Sequence, residues 1–279
     1  MTTIETPVDF YRTHPISSEI VLAKLAARRG NLDAVAPPEL FDLDQDHYGG
    51  LDANEALARL ADLRPGLEVA DFCAGLGGPA RYFAHTRAVQ VTGIDLTPAR
   101  VAGAAELTRL VGLSDRVQVI EGNVEHVPLA DASVDVVLSQ EAFLHLPHRD
   151  RAVAEAFRIL RPGGRLVFTD WVAHQELSAA DRQLLWDGMA VQPLESLPSY
   201  QTLLRNTGFE VGGVEDLTAE WTVILRERLR MFNELRRATI AAGTPSGHDA
   251  FYRSYVLFMR LVEERVLGGG RFLALKPAA

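Results

Sequence analysis

The chain has 279 residues, a formal net charge of −9 at pH 7, 47% hydrophobic residues and 23% charged residues. This composition is typical of a globular protein with a core and excludes general disorder. The acidic balance, with no stripe of Lys and Arg, argues against a nucleic-acid partner, because phosphates need a basic surface.

The single cysteine, Cys73, cannot form an intrachain disulfide, and no Cys or His cluster has the spacing of a zinc site. We therefore predict no metal site. No apolar run approaches the roughly 20 residues that span a bilayer, and the N-terminus lacks a basic-then-apolar signal pattern. We expect a cytoplasmic protein with no membrane partner.

The N-terminal part is predicted to contain helices around an irregular segment. One helix is predicted over residues 17–29 and another over 52–63, with irregular chain at 31–50. Within this irregular chain lies the polar run "DQDHYGG", residues 44–50. A polar segment that ends in two glycines before a helix is typical of a mobile cover over a site.

A regular alternation of strands and helices begins at Leu67. Short apolar strands are predicted at 67–73, 89–95, 117–122, 134–140 and 165–172. Helices are predicted between them at 78–86, 97–113 and 148–164. This order implies parallel crossover connections and a doubly wound sheet, an α/β fold.

The regular alternation of predicted strands and helices ends after residue 172. Residues 173–206 are predicted to be helical, a sixth strand spans 208–218, and a last strand at 270–277 follows another helical stretch. These helical insertions would lie near the carboxyl edge of the sheet and form a lid. We divide the single domain into 1–63 (N-terminal helices and covering segment), 64–172 (α/β core) and 173–279 (remaining strands and helical insertions).

The stretch "VADFCAGLGGPAR", residues 69–81, contains a glycine loop. Gly75, Gly77 and Ala80 fit G-x-G-x-x-G/A, the fingerprint of a dinucleotide site. Asp95 follows Gly75 by 20 residues and ends the second strand, where a carboxylate can accept hydrogen bonds from ribose hydroxyls. Because S-adenosylmethionine (SAM) sites share these features, both an NAD(P)-dependent oxidoreductase and a SAM-binding protein remain open on these residues.

Three further features favour SAM. Asp71 comes just before the loop, where a carboxylate can accept hydrogen bonds from loop amides or from a ligand ammonium. A carboxylate is unhelpful beside the two phosphates that a dinucleotide places at a helix N-terminus. After the third strand, Asn123 and the backbone of Val124 can bracket an adenine edge, and no second nucleotide-binding half follows.

In combination, "VADFCAGLGG", "VTGIDLTPARV", "EGNVEHVPLADASVDVVLSQEAFLHLP" and "ILRPGGRLVFTDW" resemble the class I SAM-dependent methyltransferases that act on small molecules. The likeness is greatest to the sarcosine/dimethylglycine and phosphoethanolamine N-methyltransferases, and it covers about residues 45–175. It implies a Rossmann-like seven-stranded sheet with helical lid insertions. The chain departs from the family at Cys73, where glycine is expected, and at Asn123, where aspartate is usual.

The resemblance implies which residues hold the cofactor. Asp71, Gly75 and Gly77 would hold the methionine end of SAM, and Asp95 would hold the ribose. The predicted cofactor site consists of Gln45, Asp71, Cys73, Gly75, Gly77, Asp95, Leu96, Asn123, Val124 and Gln140. We expect the Cys73 side chain to act as a small buried hydrophobic group and not as a reactive thiol.

Candidate catalytic residues lie in "SQEAFLHLP", just beyond the fourth strand. Glu141 and His145 are four residues apart, so one helical turn would place both side chains on one face. His145 would act as a base, and Glu141 would attract a substrate amine. The resemblance implies the same roles for an acid and a histidine. The alternative is an exposed Glu–His pair at a helix start.

Further candidates come from the covering segment and from the end of the fifth strand. Tyr48 is a predicted catalytic residue, and His47 is a predicted substrate contact. Asp170 and Trp171 are also predicted to meet the substrate, because an aromatic face attracts a methylated ammonium. The alternatives are an ordinary turn for Tyr48 and His47 and core packing for Trp171.

These observations predict a SAM-dependent methyltransferase acting on a small-molecule acceptor, with an amine nitrogen preferred. The alternatives are an O- or C-methyltransferase of a secondary metabolite or quinone, an NAD(P)-dependent oxidoreductase, and a SAM-binding protein without catalysis. A homo-oligomer is also compatible with the sequence.

Overall fold

The computed structural model describes residues 6–12, 16–241 and 249–278. The strands are β1 Glu68–Phe72, β2 Gln90–Asp95, β3 Val117–Glu121, β4 Val134–Gln140, β5 Leu160–Ala173, β6 Glu210–Asp216 and β7 Leu267–Leu275. The helices are α1 Pro7–Arg12, α2 Ser18–Arg29, α3 Gly50–Leu60, α4 Gly78–Arg87, α5 Pro98–Leu110, α6 Arg149–Ile159, α7 Ala179–Met189, α8 Leu197–Thr207, α9 Thr218–Ala241 and α10 Asp249–Glu263.

All seven strands form one sheet in the order β3-β2-β1-β4-β5-β7-β6. The strands from β3 to β5 are parallel to their neighbours, and β7 runs antiparallel between β5 and β6. The strand order reverses between β1 and β4, so the loops after these strands diverge and leave a crevice. This confirms the predicted doubly wound, seven-stranded α/β sheet with helical insertions.

Alternate residues of the strands enter two separate cores. On β1, Val69 belongs to one buried cluster, together with the apolar face of α3, and Ala70 belongs to another, together with α6 and α8. This alternation follows from the two-residue period of a strand and buries both faces of the sheet. A third cluster, which includes Trp221 and Phe258, lies in the helical insertions.

The predicted elements differ from the structure mainly at their ends. The helix predicted over 148–164 ends at Ile159, and the "LRPGG" residues belong to β5. Pro162 has no amide hydrogen to continue a helix, and Gly163 adopts a φ of 80°. The amide of Gly163 donates to the carbonyl of Lys276, so the end of the sheet recruits this segment.

A buried ion pair fixes the covering segment to the core. Arg81 of α4 donates from Nη2 to Oδ2 of Asp44 over 2.7 Å, and the two side chains are 1% and 0% exposed. Arg81 also donates from Nη1 to the Thr108 hydroxyl over 3.0 Å. A Cβ at Gly78 would collide with the carbonyl oxygen of Asp44, so the segment lies directly against the N-terminus of α4.

Asp44→Ala is expected to lower the free energy of unfolding by about 3–5 kcal/mol, because it leaves the Arg81 charge buried without its partner. Urea denaturation of the ligand-free protein measures this. Asp42→Ala is the matched control: Asp42 pairs with Arg28 at the surface, with side chains 60% and 54% exposed, and such a pair contributes about 0–1 kcal/mol. Equal losses in the two variants would contradict the expectation.

Within the part of the chain that the structure describes, none of the helices combines the length and the hydropathy needed to cross a bilayer.

Candidate active site

A cavity opens at the carboxyl ends of β1, β2 and β4, where the strand order reverses. This sheet-edge cavity has a volume of about 320 Å³ and is covered by α1 and by the segment around Asp46. It is lined by seven of the predicted cofactor residues: Asp71, Cys73, Gly75, Asp95, Leu96, Asn123 and Gln140.

Three predicted cofactor residues lie outside the lining of this cavity. The Gln45 amide is engaged with Asp44, His47 and Asn54. Gly77 precedes α4 with a φ of 74°, and its missing Cβ leaves room for Arg81. Val124 is buried in the core beside Phe72. Their predicted contacts with the cofactor stay predictions.

Asp71 is the most unusual residue of the sheet-edge cavity. Its side chain is 5% exposed, and its Oδ2 has no hydrogen-bond partner. Burial, and then the charge of Asp95, raise the pKa of this carboxyl to about 7. A buried carboxylate without a partner is unfavourable, so this position favours a cationic or hydrogen-donating ligand.

Asp95 holds the glycine loop in place. Its Oδ2 accepts a hydrogen bond from the Gly75 amide over 2.8 Å, and its Oδ1 accepts one from the Thr97 amide over 2.8 Å. Burial raises the pKa of this carboxyl, whereas the two amides act in the opposite direction. A carboxylate has about four acceptor sites, so Asp95 can still accept hydrogen bonds from hydroxyls in the cavity.

The two departures from the family pattern have visible consequences. Cys73 adopts a φ of 59°, the left-handed conformation that glycine tolerates best. Burial and the nearby carboxyls raise the pKa of its thiol, which disfavours the reactive thiolate. The Asn123 carbonyl accepts a hydrogen bond from the Glu125 amide over 2.8 Å, and both residues line the cavity.

Sequence reasoning missed Arg100. Its side chain lines the sheet-edge cavity and is 5% exposed, and Nη1 bonds to Asp46 over 3.0 Å. Its guanidinium lies over the ring of Tyr11, 4.6 Å from the centroid, and Nη2 is buried without a partner. The sequence feature that could have identified Arg100 is its position in the first turn of a predicted helix, where the helix dipole disfavours a cation.

A second cavity, the lid cavity, lies beneath the helical insertions and has a volume of about 480 Å³. Four predicted residues line it: Tyr48, Glu141, His145 and Trp171. Trp171 stacks on Phe258 with ring centroids 3.4 Å apart. Four residues line both cavities and therefore mark their junction: Tyr11, Asp46, Glu141 and His145.

Glu141 reaches this junction without the helical turn that the sequence suggested. It adopts a φ of 52°, and a short 3-10 turn follows at Phe143–His145. Both carboxylate oxygens of Glu141 accept from the Tyr48 amide over 2.9 Å. Burial raises the pKa of Glu141 to about 8, against the influence of this amide and of Arg228.

His145 is oriented by contacts on both ring nitrogens. Nδ1 lies 3.1 Å from the carbonyl oxygen of Ala190, which can only accept a hydrogen bond. The hydrogen of the neutral ring is therefore on Nδ1, and Nε2 accepts from the Tyr11 hydroxyl over 3.0 Å. The basic nitrogen of His145 thus faces the junction.

Two predicted substrate residues, His47 and Asp170, lie outside the lining of the lid cavity. His47 is 2% exposed and lines the sheet-edge cavity instead of the lid cavity. Burial lowers its pKa to about 4. Asp170 is fully buried, and its two oxygens accept from the Leu144 amide and the Tyr200 hydroxyl. Asp170 lines neither cavity, so its contacts fix the turn that carries His145.

The lining of the sheet-edge cavity includes polar groups that could hold a cofactor. Three of its residues carry a buried side-chain atom without a hydrogen-bond partner: Asp71 Oδ2, Arg100 Nη2 and Gln140 Nε2. One acceptor and two donors complement an ammonium and a carboxylate. Among the described residues, no group of His, Cys, Asp and Glu has the arrangement of a metal site.

A family model described as "Methyltransferase domain" matches residues 70–168. A dimethylglycine N-methyltransferase of Parasynechococcus marenigrum is 34% identical over 194 residues, which cover 69% of each chain. A glycine/sarcosine/dimethylglycine N-methyltransferase of Actinopolyspora halophila is 33% identical over 164 residues, 59% of this chain. The match spans only 29% of that longer protein.

The same fold occurs in solved structures. A phosphoethanolamine N-methyltransferase 2 of Haemonchus contortus, solved in complex with S-adenosyl-L-methionine, superposes with a TM-score of 0.73 and 24% identity. The superposition covers 98% of this chain and 60% of that one. At this identity the likeness shows the fold.

Proposed function

This chain belongs to the class I SAM-dependent methyltransferases, and we propose that it transfers a methyl group from SAM to the amine nitrogen of a small-molecule acceptor. The observation that carries the proposal is the junction of the two cavities, where Glu141 and His145 face both. The relatives named for N-methylation of dimethylglycine and sarcosine support nitrogen as the target. The proposed location is the cytoplasm.

The proposed donor site is the sheet-edge cavity. Asp71 would accept from the ammonium of SAM, and Arg100 and Gln140 would donate to its carboxylate, because these three groups are buried without partners. Asp95 would accept from the ribose hydroxyls while holding the Gly75 amide. SAM supplies a methyl group that its sulfonium already activates, so the protein contributes mainly alignment, exclusion of water and proton removal.

The proposed acceptor site begins at His145. Its Nε2 lone pair faces the junction and accepts from the Tyr11 hydroxyl, so it would take the proton of an incoming ammonium that replaces this hydroxyl. Glu141 would anchor that ammonium, because a cation nearby lowers the raised pKa of a buried carboxyl and pairs with its ionised form. Tyr11 would help to position the histidine.

A hydroxyl acceptor is the second candidate. The Tyr11 hydroxyl lies 3.0 Å from Nε2 of His145, the place that a substrate hydroxyl would need in order to lose its proton. In this case the reaction is O-methylation, and the same histidine serves as the base.

Isothermal titration with SAM, S-adenosylhomocysteine (SAH) and NADP tests the donor. We expect heat with SAM and SAH, and heat with NADP alone would support an oxidoreductase instead. Formation of SAH is then measured across amines, phenols, sugars and quinones to identify the methylated atom. Binding of SAM without transfer to any of these classes would indicate a SAM-binding protein without catalysis.

A further inference from the structure

The lid cavity contains a cation without an ionic partner. Arg228 of α9 lines the cavity and is half-buried. Its Nη2 donates to the carbonyl of His47, and its guanidinium lies 4.6 Å from the centroid of the Tyr48 ring. Among the described side chains, no carboxylate lies within 4.0 Å of it. A half-buried guanidinium without an anion is unfavourable, so the position favours an anionic ligand.

The other charged groups of the lid cavity do not neutralise Arg228. Asp46 is paired with Arg100 over 3.0 Å. Burial raises the pKa of Glu141 to about 8 against the charge of Arg228, which favours the protonated carboxyl. Lys24 is exposed and adds a second positive charge to the lining. The ligand-free cavity therefore has a positive balance, which opposes a purely cationic acceptor.

The walls of the lid cavity are aromatic. Seven Phe, Tyr and Trp rings line it: Phe10, Tyr11, Tyr48, Trp171, Phe232, Phe251 and Tyr255. A volume of about 480 Å³ lies in the range of cavities that bind ligands of drug-like size. A molecule as small as dimethylglycine would leave most of these rings in contact with water, so their apolar surface would contribute little to binding.

We propose that the acceptor is an amphipathic anion. Its aromatic or polycyclic body packs against these rings, its carboxylate or phosphate binds Arg228, and its nucleophilic atom lies at Glu141 and His145. This inference rests on the proposed function, because it names the acceptor class of the same site. It extends beyond dimethylglycine, sarcosine and phosphoethanolamine, because the apolar body is a required part of the ligand.

Titration of the SAH-loaded protein with four probes tests the inference. The probes are 2-naphthoate, 2-naphthyl phosphate, 2-naphthalenemethanol and dimethylglycine. We expect one or both naphthyl anions to bind roughly tenfold or more tightly than either the neutral alcohol or dimethylglycine, because hydrogen bonds between charged groups are stronger than those of neutral groups and the apolar ring adds buried surface. The relative affinities of the two anions distinguish a carboxylated from a phosphorylated acceptor.

Arg228→Gln is expected to lower the affinity for the naphthyl anions about tenfold and to leave the alcohol unchanged. Arg230→Gln is the matched control, because Arg230 lies on the same helix, is exposed, and pairs with Glu227 and Glu234. Undetectable binding of both anions, dimethylglycine binding as tightly as they do, or an unchanged anion-to-alcohol ratio in Arg228→Gln would overturn the inference. Failure to bind SAH in the first titration would instead overturn the proposed function.

Discussion

Asp71→Asn is expected to weaken SAH binding roughly ten- to a hundredfold and, at pH 8, to stabilise the ligand-free protein. The first effect follows because the substitution removes a charge-assisted hydrogen bond to the ligand ammonium, which contributes about 1.5–3 kcal/mol. Asparagine keeps the shape of the side chain but not its charge. Isothermal titration measures the affinity, and urea denaturation measures the free energy of unfolding.

The stability effect has a defined pH dependence. The pKa of the Asp71 carboxyl is 3.8 when unperturbed, and burial raises it to about 7 in the folded protein. Below about pH 4 the group is protonated in both states and has no effect. Between these values the unfolded chain loses the proton while the folded protein keeps it, so stability falls as the pH rises. Above pH 7 the full penalty is present.

The gain in Asp71→Asn should therefore grow from nothing at pH 4 to about 2 kcal/mol at pH 8. The shift of the pKa sets an upper limit of about 4 kcal/mol at 1.36 kcal/mol per unit, and relaxation around the ionised carboxylate reduces this. Wild-type SAH affinity should also fall as the pH decreases below 7, and that of the variant should stay flat. Asp115→Asn, an exposed residue, is the control for loss of one negative charge. A variant with wild-type affinity would exclude Asp71 from ligand binding.

His145→Ala is expected to lower turnover by roughly a hundredfold to ten-thousandfold, the contribution of a positioned general base. SAH affinity should stay within about twofold, because the residues proposed to hold the methionine end of the cofactor are Asp71, Arg100 and Gln140, and the basic nitrogen of His145 contacts the Tyr11 hydroxyl instead. Turnover is measured as SAH formation with an acceptor found by the methyl-transfer screen.

His148→Ala is the matched control for the catalytic prediction. His148 precedes α6 and is exposed, three residues from His145 along the chain. We expect its turnover to match that of the wild type. Unchanged turnover in His145→Ala would remove the histidine from catalysis and would favour an acceptor that arrives already deprotonated.

The prediction of the cofactor site at the carboxyl edge of the sheet depended mostly on local sequence patterns. The glycine loop after β1, the carboxylate at the end of β2 and the polar residues after β3 and β4 are each adjacent to a strand end. Parallel strands bring their carboxyl ends to one edge, so strand order alone collects Asp71, Asp95, Asn123 and Gln140 around one cavity. Exceptions such as Gln45 arose where a side chain had a nearer partner within the covering segment.

The residues that the sequence did not predict come from separate elements. Tyr11 meets His145 across 134 positions of the chain, and Arg228 meets His47 across 181. Neither contact has a local pattern, because helix packing and the path of the insertions decide which side chains meet. The raised pKa values of Asp71 and Glu141 also depend on burial, which only the assembled tertiary structure provides.

The sequence by itself therefore determined the α/β class, the seven strands, the cofactor loop and the family, because strand periodicity, turn residues and adjacent motifs are local properties. Only the tertiary structure decided which face of each lid helix turns inward. That choice sets the aromatic walls of the lid cavity, the position of Arg228 and the orientation of His145. Such choices depend on contacts that many distant residues make simultaneously, and no single segment of the chain encodes them.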